Sequence, residues 1–188
     1  MTFKIDRRLM DNFNKNTGGV WNTITTNPLT SIEFYGSQPS SDQLNSVTQP
    51  TLSVGTIVSK QGCSDQFLIS QVDFQSNSEK YTLLKLNQSV VVSRFSEEGT
   101  RDNFGRVTVV SPSIIYPSMP VHLAPQNRSK PDDKADRSDE ATLYHCITSS
   151  QYVIQVKDQL TIGSQSLVVS ALLLANSGLC EILCMDAA

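Results

Sequence analysis

The stretch Leu160-Thr161-Ile162-Gly163-Ser164-Gln165-Ser166-Leu167-Val168-Val169 decides the fold class. Apolar and β-branched residues run up to Gly163-Ser164 and resume directly after it. A two-residue loop opening on glycine between two such runs reads as a hairpin. The same pattern extends in both directions. Upstream, Val54–Lys60, Gln66–Phe74, Tyr81–Leu86 and Ser89–Phe95 are short runs rich in Val, Ile, Leu and Phe, set apart by Gly62 and by Ser76-Asn77-Ser78. A charged stretch from Glu97 to Gly105 leads to Arg106–Val110. Thr142–Thr148, Tyr152–Val156 and Leu179–Met185 complete the series, the last entered through Asn176-Ser177-Gly178. Short strands with a turn signal every 8–12 residues or so predict an antiparallel sandwich or barrel. Parallel α/β folds are excluded, because each parallel pairing needs a long, usually helical, connection. The expectation is all-β: a small antiparallel β-barrel over residues 51–188 with a long polar loop between two strands, preceded by an extended N-terminal arm over residues 1–50. No internal repeat is visible.

Two segments depart from this pattern. In residues 1–15, Ile5, Leu9 and Phe13 recur every fourth position with Met10 beside them, which predicts a short amphipathic helix. From Asn16 to Thr56 only Glu33 and Asp42 are charged, and Gly18-Gly19, Pro28, Gly36, Pro39 and Pro50 interrupt the run. This reads as an extended arm or a string of edge strands. It carries Trp21, Phe34 and Tyr35, and with Phe13 these are the residues expected to touch other subunits. Charge-poor, β-branched segments can add to a neighbour's sheet edge through main-chain hydrogen bonds. Deleting residues 1–50 is therefore expected to leave a folded remainder. The second departure is residues 126–141. Within Arg128–Glu140 stand four positive residues (Arg128, Lys130, Lys134, Arg137) and five negative ones (Asp132, Asp133, Asp136, Asp139, Glu140). A loop with almost no apolar residue cannot bury enough surface to offset the entropy of ordering it.

Composition narrows the function classes. The chain has 188 residues, 38% hydrophobic and 18% charged, with a net charge of −3. Ser, Thr, Gln and Asn fill about a third of it, yet enough Leu, Ile, Val and Phe remain to build a core. A dedicated duplex-DNA binder would need a basic face to displace counterions from phosphates, and the balance here is slightly acidic. No apolar run reaches the roughly 18 residues of a membrane helix, and no secretory leader is expected from the first fifteen residues.

Candidate chemistry is sparse. Cys180 and Cys184, on one strand, would lie about 13 Å apart at roughly 3.3 Å per residue, too far for a disulfide. Four reduced thiols, at least two in the core, are expected, which fits a reducing cytoplasm or a particle assembled in one. The Cys180-x₃-Cys184 pair has no second pair to complete a zinc site. His145 and Cys146 are neighbours in a predicted strand, so they face opposite sides and do not make a nucleophile–base pair. Phosphate-loop fingerprints and the Gly-x-Ser-x-Gly elbow are absent. No catalytic residue, metal or cofactor is assigned, and a non-enzymatic role is expected.

One region resembles a known family. Tyr116-Pro117-x-x-Pro120-x-x-Leu123, then a polar gap, then Thr142–Thr148 and Val156-Lys157-Asp158-x-Leu160 leading to Leu167-Val168-Val169, is similar to the head-closure (stopper) proteins of tailed bacteriophages. Asp102-x-Phe104-Gly105 before the strand at Arg106 is similar to a turn frequent in that family. The resemblance spans about residues 100–175. It implies a small β-barrel that forms a homo-oligomeric ring at the phage neck, a head–tail connector joining portal or adaptor to tail and helping to retain packaged DNA. Its partners would be copies of itself, the neighbouring portal, adaptor and tail proteins, and double-stranded DNA in passage only, with no membrane. Its place would be the virion, assembled in the host cytoplasm. By position the 126–141 loop would face the channel, carrying Arg128, Lys130, Asp132, Asp133, Lys134, Asp136 and Arg137. Its near-balanced charge would neither grip DNA phosphates nor form a purely repulsive wall. A baseplate, tail-terminator or capsid-decorating protein, and more remotely a carbohydrate-binding β-sandwich, are the alternatives.

Overall fold

A computed structural model describes residues 18–25, 32–46, 52–75, 78–95, 112–126, 142–174 and 178–187. They form twelve strands: β1 (Gly18–Ile24), β2 (Glu33–Ser40), β3 (Gln43–Ser46), β4 (Ile57–Lys60), β5 (Gln66–Gln75), β6 (Ser78–Leu86), β7 (Gln88–Arg94), β8 (Ser113–Pro125), β9 (Leu143–Ser149), β10 (Gln159–Ile162), β11 (Gln165–Leu174) and β12 (Leu179–Asp186). The protein is all-β and antiparallel, as the punctuation of the sequence predicts. The β10–β11 hairpin closes through Gly163-Ser164, with Ile162 opposite Gln165 and φ +57 at Gly163, the first central residue of a type II′ turn. The N-terminal helix, the Arg106–Val110 strand and most of the 126–141 loop lie outside the described residues.

Two closed barrels stand where one was expected. The first closes in the order β1-β2-β3-β6-β5-β4, the second in the order β10-β11-β12-β9-β8-β7. By contacts, one unit comprises residues up to Leu86 with Ser149–Gln151 and Ser177–Leu179, and the other comprises the remainder. The expected boundary at residue 50 therefore moves to residues 86/87. The reason is β1–β3: β1 pairs with both β2 and β4, and β3 with β6, so the strands of the supposed arm are half the wall of the first barrel. Their low charge follows from this placement, since each alternate side chain faces a core.

Trp21 occupies that core. It is 0% exposed, its ring lies 6.0 Å from that of Phe67, and Leu44, Val58, Ile69 and Tyr81 surround the cluster. Gly36 leaves it room: a Cβ there would lie 2.7 Å from Leu44 Cδ1 and 3.1 Å from Trp21 Cδ1. The second core packs Val90, Val92, Met119, Val121, Cys146, Leu160, Leu167, Val169, Ile182 and Cys184.

The two rings have the same topology. Read from its own first strand, the second runs β7-β8-β9-β12-β11-β10, so every strand has the neighbours of the strand six places earlier. Finer features repeat too. In the first barrel Gly55 N donates to Ile69 O (2.8 Å), Ile69 N to Thr56 O (2.9 Å) and Thr56 N to Ser53 O (3.1 Å). In the second, Lys157 N donates to Val169 O (2.9 Å), Val169 N to Asp158 O (2.9 Å) and Asp158 N to Gln155 O (3.1 Å). Gly55 and Lys157 both have positive φ, +85° and +77°. The pairing register slips after Ile69 and again after Val169. At each bulge a serine hydroxyl donates to the facing strand, Ser70 to Thr82 O and Ser170 to Leu183 O. The described residues thus repeat one six-stranded barrel topology, which the sequence does not display.

Two strand readings also change. Tyr152–Val156 is not a strand. Val153 N bonds the Tyr116 hydroxyl (3.0 Å) and Val153 O accepts from Arg94 Nη2 (3.2 Å), so side chains satisfy the backbone groups that a ladder would use. Ser113–Pro125 is a strand that the sequence reading did not assign, because Pro117 and Pro120 argue against one. A register shift in the β7–β8 ladder, between Met119 and Tyr116, accompanies Pro117, while Pro120 pairs in register with Ser89.

Candidate functional site

The aromatic residues expected to contact other subunits divide. Trp21 is enclosed by its own barrel, so it is not a contact residue. Burying its large ring in the first core gains more than exposing it on an arm could. Phe34 and Tyr35 sit in β2, opposite Trp21 and Val20 of β1. Phe13 lies outside the described residues, and so do Arg128, Lys130, Asp132, Asp133, Lys134, Asp136 and Arg137, the expected channel-facing set.

The structure brings together a different group. Arg94, at the end of β7, pairs with Asp158, which leads into the neighbouring strand β10, with Nε 2.7 Å from Oδ1 and Nη2 2.8 Å from Oδ2. Asp158 is 1% exposed and also accepts from Gln155 N at 2.7 Å. A two-pronged pair of this kind fixes orientation as well as adding energy. The carboxylate beside it raises the Arg94 pKa further above its ordinary value. The same guanidinium holds Val153 O, and the rings of Tyr116 and Tyr152 meet edge-on with centroids 5.1 Å apart. Residues 152–158 are thereby clamped to β7 and β8.

Apolar side chains on this clamped backbone face outward. Tyr152 and Ile154 point in, whereas Val153 is 62% exposed and Val156 49%. Phe95, next to Arg94, is 49% exposed, and Ile114, opposite Ser93 in the β7–β8 ladder, is 66% exposed. Large apolar residues held outward on a rigid frame mark an interaction surface when they gather. The sequence reading missed them because Tyr152–Val156 has the residue types of a strand.

In the first unit the corresponding turn, Ser53–Thr56, is covered. Gly55 is buried against Gly178, so closely that a Cβ on Gly55 would fall 1.9 Å from Gly178 O. Ser150 N donates to that same oxygen at 2.8 Å. Beside this contact lies a cavity of about 310 Å³ lined by Ile24, Thr25, Ser53–Ile57, Ser149–Gln151 and Gly178. The Ser53 and Thr56 hydroxyls bond each other, Ser149 Oγ accepts from Gln151 N, and the Gln151 amide donates to Ile24 O. Its polar groups are thus largely engaged with one another, and the lining includes no charged side chain.

The thiols follow the core. Cys146, Cys180 and Cys184 are buried and Cys63 is exposed, all four free. The Cys146 thiol neighbours Cys184; this contact, with burial, pushes its pKa up, and burial does the same for Cys180. Neither Cys146 nor Cys180 is poised as a thiolate nucleophile. His145, next to Cys146 in β9, lies 3.4 Å from Glu181 of β12. Among the described residues no group of three His, Cys, Asp or Glu side chains could hold a metal ion. Among them, too, no helix is long and apolar enough to cross a membrane.

No family model matches the chain, and no curated protein matches it. Among solved structures it is similar to K. pneumonia MrkH in complex with c-di-GMP, at 10% identity and a TM-score of 0.28, covering 97% of this chain and 84% of that one. It is likewise similar to the apo state of MrkH, at 12% identity and a TM-score of 0.28, covering 96% and 82%. Likeness at this level does not establish a common fold.

Proposed function

We propose that this protein is a structural subunit that assembles with copies of itself, and that its place is the neck of a tailed-phage particle. There it would form a connector ring between portal or adaptor and tail and help to retain packaged DNA. The observation that carries the assembly role is the second barrel's face around the Arg94–Asp158 pair, where Val153 and Val156 stand exposed on the clamped segment, with exposed Phe95 next to Arg94 and exposed Ile114 opposite Ser93. A solvated loop with no task would have little reason to fix large apolar residues outward on a nearly buried ion pair. The phage setting rests on the resemblance of residues 100–175 to head-closure proteins.

Imaging decides it. Electron microscopy of the purified protein should show closed rings, and antibody labelling of particles should mark the neck. A protein that stays monomeric at every concentration, or a label found elsewhere on the particle, would overturn the connector role.

A further inference from the structure

The two barrels differ in chemistry at one matched pair of positions. In the β1–β4 ladder Ile24 stands opposite Ile57, and in the β7–β10 ladder Ser93 stands opposite Gln159. Thr25 and Thr56 therefore hold the places of Arg94 and Asp158. In the second barrel the place is filled. The Arg94 guanidinium lies against the Asp158 carboxylate at 2.7 and 2.8 Å, and Nη2 also donates to Val153 O. In the first unit two threonines stand there, several atoms shorter than an arginine, and the cavity of about 310 Å³ opens beside them. That volume lies at the lower end of small-molecule sites, about 300–1,000 Å³.

The lining sets the class of ligand. Thr25, Ser53, Thr56, Ser149 and Ser150 bring hydroxyls and Gln151 an amide, with Ile24 and Val54 as aliphatic surface and no ionisable side chain. An anion would meet no cation there to offset its desolvation, and a cation no carboxylate. A hydroxyl donates once and accepts twice. The Ser53–Thr56 bond is 3.3 Å long, and Ser149, only 4% exposed, accepts from Gln151 N at 3.4 Å. Bonds at the long end of the range leave donor and acceptor capacity in the lining. We infer that this cavity binds a small uncharged polyol, a monosaccharide unit that is either free or the end of a glycan. Ser53, Thr56, Ser149 and Gln151 bond its hydroxyls, and Ile24 and Val54 pack its C–H face. The site goes beyond the assembly role and does not depend on it.

The test titrates the full-length, isotope-labelled chain with glucose and with methyl glucoside and follows its backbone amide resonances. Saturable shifts should gather on residues 53–57, 149–151 and 178, and inorganic phosphate should not reproduce them. Methyl glucoside separates the two sources: it should bind like glucose if the cavity takes a glycan end, and be rejected if it takes the free sugar alone. Thr56→Val keeps the side chain's shape and removes its hydroxyl. It should raise the half-saturation concentration roughly two- to tenfold, the loss of one hydrogen bond, with an unchanged circular dichroism spectrum. Ser53→Ala, at an exposed position, should do the same and serves if Thr56→Val does not fold. No saturable shift with either sugar, shifts gathered elsewhere, or full affinity in both folded variants would overturn the site. The same shifts from phosphate would overturn its uncharged class.

Discussion

Trp21 is the only tryptophan in the chain and is 0% exposed. Its fluorescence therefore reports the first barrel alone: native emission should be blue-shifted and resist quenching by acrylamide. Trp21→Ala should cost about 3–5 kcal/mol by denaturant titration followed by circular dichroism, the range for emptying a large aromatic site in a core. Tyr81 offers a pH test in the same core. Burial, then its bond to Glu79, raise its pKa from 10.0 to about 12. Between pH 10 and 12 the unfolded tyrosine loses its proton while the folded one keeps it, so stability is complete below pH 10 and falls as pH rises towards 12. Burial raises Tyr152 as well, so ultraviolet titration should show late-ionising tyrosines, and Tyr81→Phe should remove the component titrating near 12. Among the thiols, only Cys63 should react with a thiol reagent in the native protein, and all four after denaturation.

At the scale of elements, turns and clamps decide stability. Gly178 has φ +104° and a Cβ there would lie 1.9 Å from Val54 O. Gly163 has φ +57° with nothing near. Gly178→Ala should consequently lower the melting temperature far more than Gly163→Ala, which strikes no neighbouring atom and meets only the cost of a positive φ. Arg94→Met should cost about 3 kcal/mol, because it leaves the Asp158 carboxylate buried without its cation. The hairpin at Gly163-Ser164 was legible because its signal is local, two residues between two apolar runs. Ser113–Pro125 was not, because Pro117 sits where a register shift accommodates it, and a shift belongs to two strands at once. Tyr152–Val156 misled for the opposite reason: it has a strand's composition, but Tyr116 and Arg94 take its hydrogen bonds.

For the whole molecule, the reversal concerns residues 1–50. Read as an arm, they should be dispensable; as β1–β3 they close a ring. A chain beginning at residue 51 should lose the first barrel, with circular dichroism showing a loss of strand well beyond the residues removed. An intact β spectrum from that truncation would return these residues to the role of an arm. The repeat escaped the sequence because few side chains recur: Val54 matches Val156 and Ser70 matches Ser170, while most equivalent core positions hold different apolar residues. The spacing changes as well, since five residues join β4 to β5 and two join β10 to β11, so no fixed period survives.

Read alone, the sequence determined the fold class and the antiparallel order of neighbouring runs, because alternation and turn chemistry act within a few residues. How many barrels there are, where one ends and which aromatic residue is a core were decided only in three dimensions. Closing a ring joins β1 to β4 and β7 to β10, and partners so distant along the chain leave no trace in local periodicity.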